Sequence, residues 1–334
     1  MMESITVSVA ELTDLVRDIL VAHNTSESNA VEVATALVAA EIDGQKGHGL
    51  SRVPSYSAQA KTGKVNGQIK PLIEKVSPSL LRVDACHGFA FPAFSKASDA
   101  LVDTARQTGI AAAAINHSHH CGVVGHHAEK LAEAGLIGMV FTNSPKAIAP
   151  WGGKDAVFGT NPIAFAAPRA EGPPLVIDLS LSKVARGKIK VAAQEGKSIP
   201  EGWALDADGL TTTDAKAAMA GTMVPMGEGK GAALVLMVEI LSAALTSSLF
   251  GFEASSFFEA EGPSPDIGQL LIAISPGPLS GDTFLKRMEV LFTAILNQPG
   301  TRLPGSGKAA LREKAQRDGL EISQSVYQGL LKLK

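Results

Sequence analysis

The chain has 334 residues, with 30 basic and 33 acidic side chains, a net charge of −3 and 45% hydrophobic residues. That length can hold one large or two medium domains with ample core. The near-neutral charge argues against nucleic acid as the main partner, and 5% aromatic residues leave few stacking platforms. Cys86 and Cys121 do not suggest a disulfide framework, so a reduced, cytoplasmic setting is expected. The opening MMESITVSVAELTDL lacks a basic region followed by an apolar core, so no signal peptide is expected.

Ser8 and Glu11 fit a capping box, and Leu12, Leu15, Val16 and Ile19 recur at helical spacing behind it. A second helix is predicted from Asn29 to Glu41. It delivers the chain to DGQKGHGLSRVPSYSA, residues 43–58. Here His48 lies between Gly47 and Gly49, with Arg52 four residues on, so a helical segment would put both on one face. A proton donor beside a guanidinium suits reduction of a small keto or imino acid: arginine grips a carboxylate through two parallel hydrogen bonds. A solvated loop with a chance His and Arg is the plain alternative.

Gly63 and Gly67 mark turns before a strand over 80–85. A helix is predicted over 92–108, a strand over 109–116 and a helix over 124–134. Strands follow over 135–143 and 174–180. Hairpin-length spacings between 140 and 180 favour an α+β arrangement over strict βαβ repeats. The run AALVLMVEILSAALTSSLF contains Glu239 and several small residues, and is expected to be a buried helix, not a membrane span. A strand over 269–275 and a helix over 283–296 are expected to return toward the N-terminal helices.

No G-x-G-x-x-G follows a strand, so a Rossmann site lacks its fingerprint. LPGSGKAA and MGEGKGAA imitate a P-loop, but Ala309 and Gly231 stand where a magnesium-holding hydroxyl should be. Triphosphatase activity is not expected. Glycine-flanked lysines can still bring N–H groups and a cation to a phosphate, or be plain turns. NHSHHCGVVGHH holds five histidines, but Glu129 is its only close carboxylate and no recognised metal spacing is complete, so no metal is expected.

The block at 43–58, SPKAIAPWGGKDAVFGTNPIAFAAPR (144–169), DLSLSKVARGKIKVAAQEGKSIPEGWALDADG (178–209) and GEGKGAALVLMVEILSAALT (227–246) together resemble the malate/L-lactate dehydrogenase family. That group includes L-sulfolactate and ureidoglycolate dehydrogenases. The resemblance runs from about residue 8 to about residue 308. Within the family the wording is most similar to the Δ1-piperideine-2-carboxylate/Δ1-pyrroline-2-carboxylate reductases.

The resemblance implies an L-sulfolactate dehydrogenase-like α+β fold, not Rossmann. A mixed sheet domain at 76–282 would bind the nucleotide, with a helical, substrate-side domain from 1–75 and 283–334. It implies reduction of cyclic 2-imino acids to L-pipecolate or L-proline with NADPH, NADH being possible. The alternative is a 2-hydroxy-acid dehydrogenase of malate, lactate or ureidoglycolate type. A homodimer is expected, without nucleic-acid or membrane partners.

Carried over residue by residue, His48 is the proton donor, Arg52 the carboxylate anchor and Thr160 a substrate contact. Asp178 and Lys188 join the catalytic network, Asp178 orienting either His48 or the ribose. The cofactor would lie on His120, Cys121, Gly122, Val123, Val124, Asp178, Leu179, Ser180, Lys230, Gly231, Pro304, Gly305, Ser306, Gly307 and Lys308. The turn at 120–124 enters a helix whose N-terminus suits a pyrophosphate. One departure is Gly47, where the family commonly has serine.

Overall fold

The structure, a computed structural model, describes residues 4–334. Its centre is a seven-stranded sheet in the order 72–77, 80–84, 110–118, 267–274, 137–142, 163–167, 175–179. Only the pair Leu80–Asp84 and Ile110–Ser118 is parallel; the other pairings in this sheet are antiparallel. The mixed sheet and the antiparallel run from 137 to 179 agree with the α+β expectation. Strands 72–77 and 163–167 were not foreseen. The first is an edge strand with little burial, so its sequence lacks an alternating apolar signal.

Strand Ile267–Ile274 runs through the middle of this sheet, which corrects the expectation that it returns to the N-terminal helices. Leu271 and Ala273 join one core, with helices Ala90–Thr108 and Val124–Glu133. Leu270 and Ile272 face another, with Ile148, Leu181, Val235 and Val238. A strand with apolar side chains on both faces needs a layer on each side.

Helix Phe284–Leu296 likewise stays with the sheet's edge region: Glu289 pairs with Arg169 at 3.1 Å. The last segment returns instead. Strand Leu320–Ser323 pairs with Ser4–Val7, and Ala315, Leu320, Ile322 and Leu330 share a core with helices Val9–Ala22 and Glu27–Ile42. The capping box forms as expected, Ser8 and Glu11 each bonding the other's main-chain N–H.

The apolar run after residue 228 is not a wholly buried helix. Helix Glu228–Glu239 passes into a π turn at Ile240–Ala244, and Leu234, Leu236, Met237, Ile240 and Leu245 are exposed. Its inner face, Ala232, Val235, Val238 and Ala243, satisfies the core alone. No helix among the described residues is long and apolar enough to cross a membrane.

Candidate active site

His48 and Arg52 do come together, but not on one continuous helix. Two single 3₁₀ turns, Lys46–His48 and Leu50–Arg52, are separated by an extended Gly49. Helix Val53–Thr62 starts directly after Arg52, with Pro54 in its first turn. Arg52 Nε donates to the Gly47 carbonyl at 2.7 Å, and its guanidinium carbon lies 4.5 Å from the centre of the Phe258 ring. Its Nη1 is buried without a hydrogen-bond partner. An arginine fixed along one edge and one face, with a free terminal nitrogen, is prepared for an anion.

The His48 ring stacks on His120, with centroids 5.2 Å apart and planes 12° from parallel. His48 Nδ1 is also buried and unpartnered. Burial, then the charges of Arg52 and His126, lower its pKa to about 4. Burial likewise pushes His120 well below the usual imidazole range. Tyr56 Oη meets His120 Nδ1 at 2.5 Å. Burial raises the Tyr56 pKa, so the phenol stays protonated and donates, which places the His120 proton on Nε2. His119 Nε2 bonds Gln59 Oε1 at 2.9 Å, and Phe257 packs against both His119 and His120.

Tyr56, Gln59, His119, Phe257 and Phe258 were not foreseen as site residues. Tyr56 stood inside the best-matching sequence block, four residues beyond Arg52 and so one helical turn on. The two phenylalanines lie 200 residues away in a segment without periodicity.

Asp178 does not bond His48. Its Oδ2 accepts the main-chain N–H of Gly125 at 2.8 Å. A Cβ on Gly125 would come within 2.9 Å of that oxygen. Burial raises the Asp178 pKa, partly countered by the Gly125 bond. The Asp178 carboxyl group therefore stands at the N-terminus of helix Val124–Glu133, and a pyrophosphate placed there would share that end with an acidic side chain. Cys121 is buried, and its thiol pKa is pushed up to about 12 by burial, so it is a packing residue and not a nucleophile.

The other histidines of the cluster are each engaged. His117 bonds Asp84, His126 bonds Asp43 and His127 bonds the Cys121 carbonyl, at 2.9, 2.8 and 2.8 Å. No group of three or more His, Cys, Asp or Glu among the described residues has metal-binding geometry.

Thr160 donates its main-chain N–H to Ser144 Oγ at 3.1 Å. Leu179, Ser180 and Lys230 are exposed, and Gly231 is buried where a Cβ would collide with the Met226 carbonyl. Lys188 is exposed on helix Arg186–Glu195 and bonds none of His48, Arg52 and Asp178.

Arg302 to Lys308, with Leu311, line a cleft of about 450 Å³. Lys308 points inward, its Nζ 3.5 Å from Asp43 Oδ2 and without a hydrogen-bond partner. Asp43 is the hub there. Burial alone would raise its pKa, but hydrogen bonds from His126 and Arg312 outweigh this and hold it well below the carboxylate range. Arg312 forks onto Asp43 and Glu129 with four contacts of 2.7–2.8 Å. A cationic cleft with an unpartnered ammonium fits an anionic nucleotide group.

Residues 7–331 match the family model described as malate/L-lactate dehydrogenase. The chain belongs to the malate/L-lactate dehydrogenase family. It is 53% identical over 297 residues to a (2R)-3-sulfolactate dehydrogenase (NADP(+)) of Chromohalobacter salexigens, covering 89% of this chain and 88% of that one. The crystal structure of a Δ1-piperideine-2-carboxylate reductase from Pseudomonas syringae pv. tomato superposes with a TM-score of 0.94 at 40% identity, over 99% and 100% of the chains. A sulfolactate dehydrogenase from Methanocaldococcus jannaschii superposes with a TM-score of 0.91 at 30% identity, over 98% and 96%. As a member of the malate/L-lactate dehydrogenase family the chain is an oxidoreductase with a non-Rossmann fold.

Proposed function

We propose that the protein interconverts a small 2-oxo acid and its 2-hydroxy acid with NADP(H), and that the 3-sulfolactate/3-sulfopyruvate pair is the first substrate to test. The 53% identity to the Chromohalobacter dehydrogenase carries this reading. It moves the hydroxy-acid alternative of the sequence ahead of the imino-acid one.

Hydride for C2 would come from a reduced nicotinamide when one is bound. The chain's own groups do the rest. The substrate carboxylate seats on Arg52 Nη1, which otherwise lacks a partner. His48, protonated once a carboxylate on Arg52 offsets the charge that lowers its pKa, supplies the proton to the substrate oxygen, and Tyr56 holds His120 as an N–H donor beside it. Phe257, buried against His119 and His120, excludes water from one side of this pocket. Lys308 would hold an anionic group of the nucleotide, with Thr160 on the substrate side.

A second reading, reduction of Δ1-piperideine-2-carboxylate or Δ1-pyrroline-2-carboxylate, has the aromatic wall in its favour. Phe257 and Phe258 suit an apolar ring. A sulfonate would call for a further cation, and Lys64 is already bonded to three carbonyls. Kinetics with 3-sulfopyruvate, oxaloacetate, pyruvate and both cyclic imines, each with NADPH and NADH, decide between them. Turnover of the imines alone would reverse the order, and no turnover of any of the five would refute both readings.

The reading extends to a homodimer in the cytoplasm, with the exposed apolar face at 234–245 as the contact. The nucleotide would lie mainly on the 76–282 segment, with Lys308 reaching it from the terminal helical part, and that terminal part would present His48 and Arg52 to the substrate.

A further inference from the structure

Phe258 is 66% exposed, an unusual place for a large apolar ring with no obvious packing role. Its ring lies across the Arg52 guanidinium. The segment that carries it, 254–262, has neither helix nor strand, yet it is tightly held. The buried ammonium of Lys64 donates to the carbonyls of Ser256, Glu259 and Glu261 at 2.8, 3.0 and 3.3 Å. Gln59 Nε2 adds a bond to the Glu259 carbonyl at 2.9 Å, and Thr62 Oγ1 one to Ala260 at 2.7 Å. An ammonium has three N–H donors and no acceptor, so this set of carbonyls uses its full capacity.

Gln59 and Thr62 lie on the helix that begins beside Arg52. One helix therefore carries the arginine at its start and, with Lys64, the posts for its aromatic cover at its end. The cover restricts Arg52 on one face, the Gly47 carbonyl restricts it along one edge, and Nη1 is left over. Holding a long side chain in its binding geometry before the ligand arrives removes an ordering cost from binding.

We propose that Phe258 is a positioning residue for the anion anchor Arg52, and that Lys64 holds Phe258 in place. This rests on Arg52 being the carboxylate anchor, and the test separates the two ideas. Phe258→Ala raises KM for the carboxylate substrate about tenfold, the worth of a cation–π contact, with kcat changed far less. Phe258→Trp restores KM. Lys64→Met, which keeps length and loses the donors, raises KM in the same direction and speeds deuterium exchange across 256–261. A merely structural role would lower kcat and thermal stability together and would not be rescued by Trp.

One measurement needs no substrate. Phenylglyoxal modification of Arg52, followed by peptide mass spectrometry, is faster in Phe258→Ala and in Lys64→Met than in the wild type. Equal labelling in wild type and Phe258→Ala overturns the proposal whatever the substrate. Faster labelling with no carboxylate turned over would sustain the positioning of Arg52 and sink the functional reading alone.

Discussion

His48 and His120 stack nearly parallel at 5.2 Å, and each is held neutral by burial. Two neutral imidazoles side by side offer two N–H groups but room for only one added charge. His48→Ala is expected to lower kcat by ~10²–10⁴, the usual worth of a general acid, with little loss of cofactor affinity. Steady-state kinetics with a fluorescence titration of NADPH check this. Unchanged turnover would transfer the proton-donor role to His120.

Arg52→Lys is expected to raise KM strongly, because an ammonium cannot make the two-pronged contact. The variant also loses the Nε bond to Gly47, so the new cation is poorly placed. A KM unchanged for every carboxylate tried would make Arg52 a structural residue.

Substrate binding is expected to take up protons. Burial lowers the His48 pKa first, and the charge of Arg52 lowers it further, to about 4. A carboxylate on Arg52 cancels part of that charge and raises the pKa toward its ordinary value. Between about 4 and 6.5 the complex then binds more protons than the free enzyme. Calorimetry in two buffers of different ionisation enthalpy reads the number directly, and a value of zero across pH 5–6 contradicts the arrangement.

NADPH is expected to be preferred over NADH. Lys308→Glu would place a second carboxylate beside Asp43 and lower the NADPH:NADH ratio of kcat/KM by tenfold or more, since a 2′-phosphate needs charge-assisted donors. An unaltered ratio would move the phosphate site away from this cleft.

A homodimer is expected from the exposed Leu234, Leu236, Met237, Ile240 and Leu245. Light scattering at low micromolar protein should give about twice the 34.6 kDa chain mass. A mass equal to one chain excludes it.

The sequence was legible where periodicity or capping spoke. The Ser8 box, the helix behind it and the five strands with apolar alternation or runs stand where they were expected. The His48–Arg52 pair was found through residue types at short spacing, though the glycine between them breaks the helix that the spacing suggested. What stayed hidden depends on distant segments meeting. Asp178 turns to the Gly125 N–H, not to a histidine, and nothing local says so. Phe257 reaches His120 across 137 residues and Phe258 reaches Arg52 across 206. The exposed face at 234–245 was misread because an apolar run does not state which side is covered.

The pairing of Ser4–Val7 with Leu320–Ser323 bears on how the chain matures. During synthesis the sheet between 72 and 274 has all its strands out of the ribosome while the partner of the first strand is still unmade. The layer around His48 and Arg52 closes only when the final stretch arrives, with Arg312 tying it to Asp43 and Glu129. A nascent chain stalled before residue 308 would therefore lack both the strand that pairs with Ser4–Val7 and the Arg312 tie, and the layer around His48 and Arg52 would stay open beside a sheet whose strands are already made.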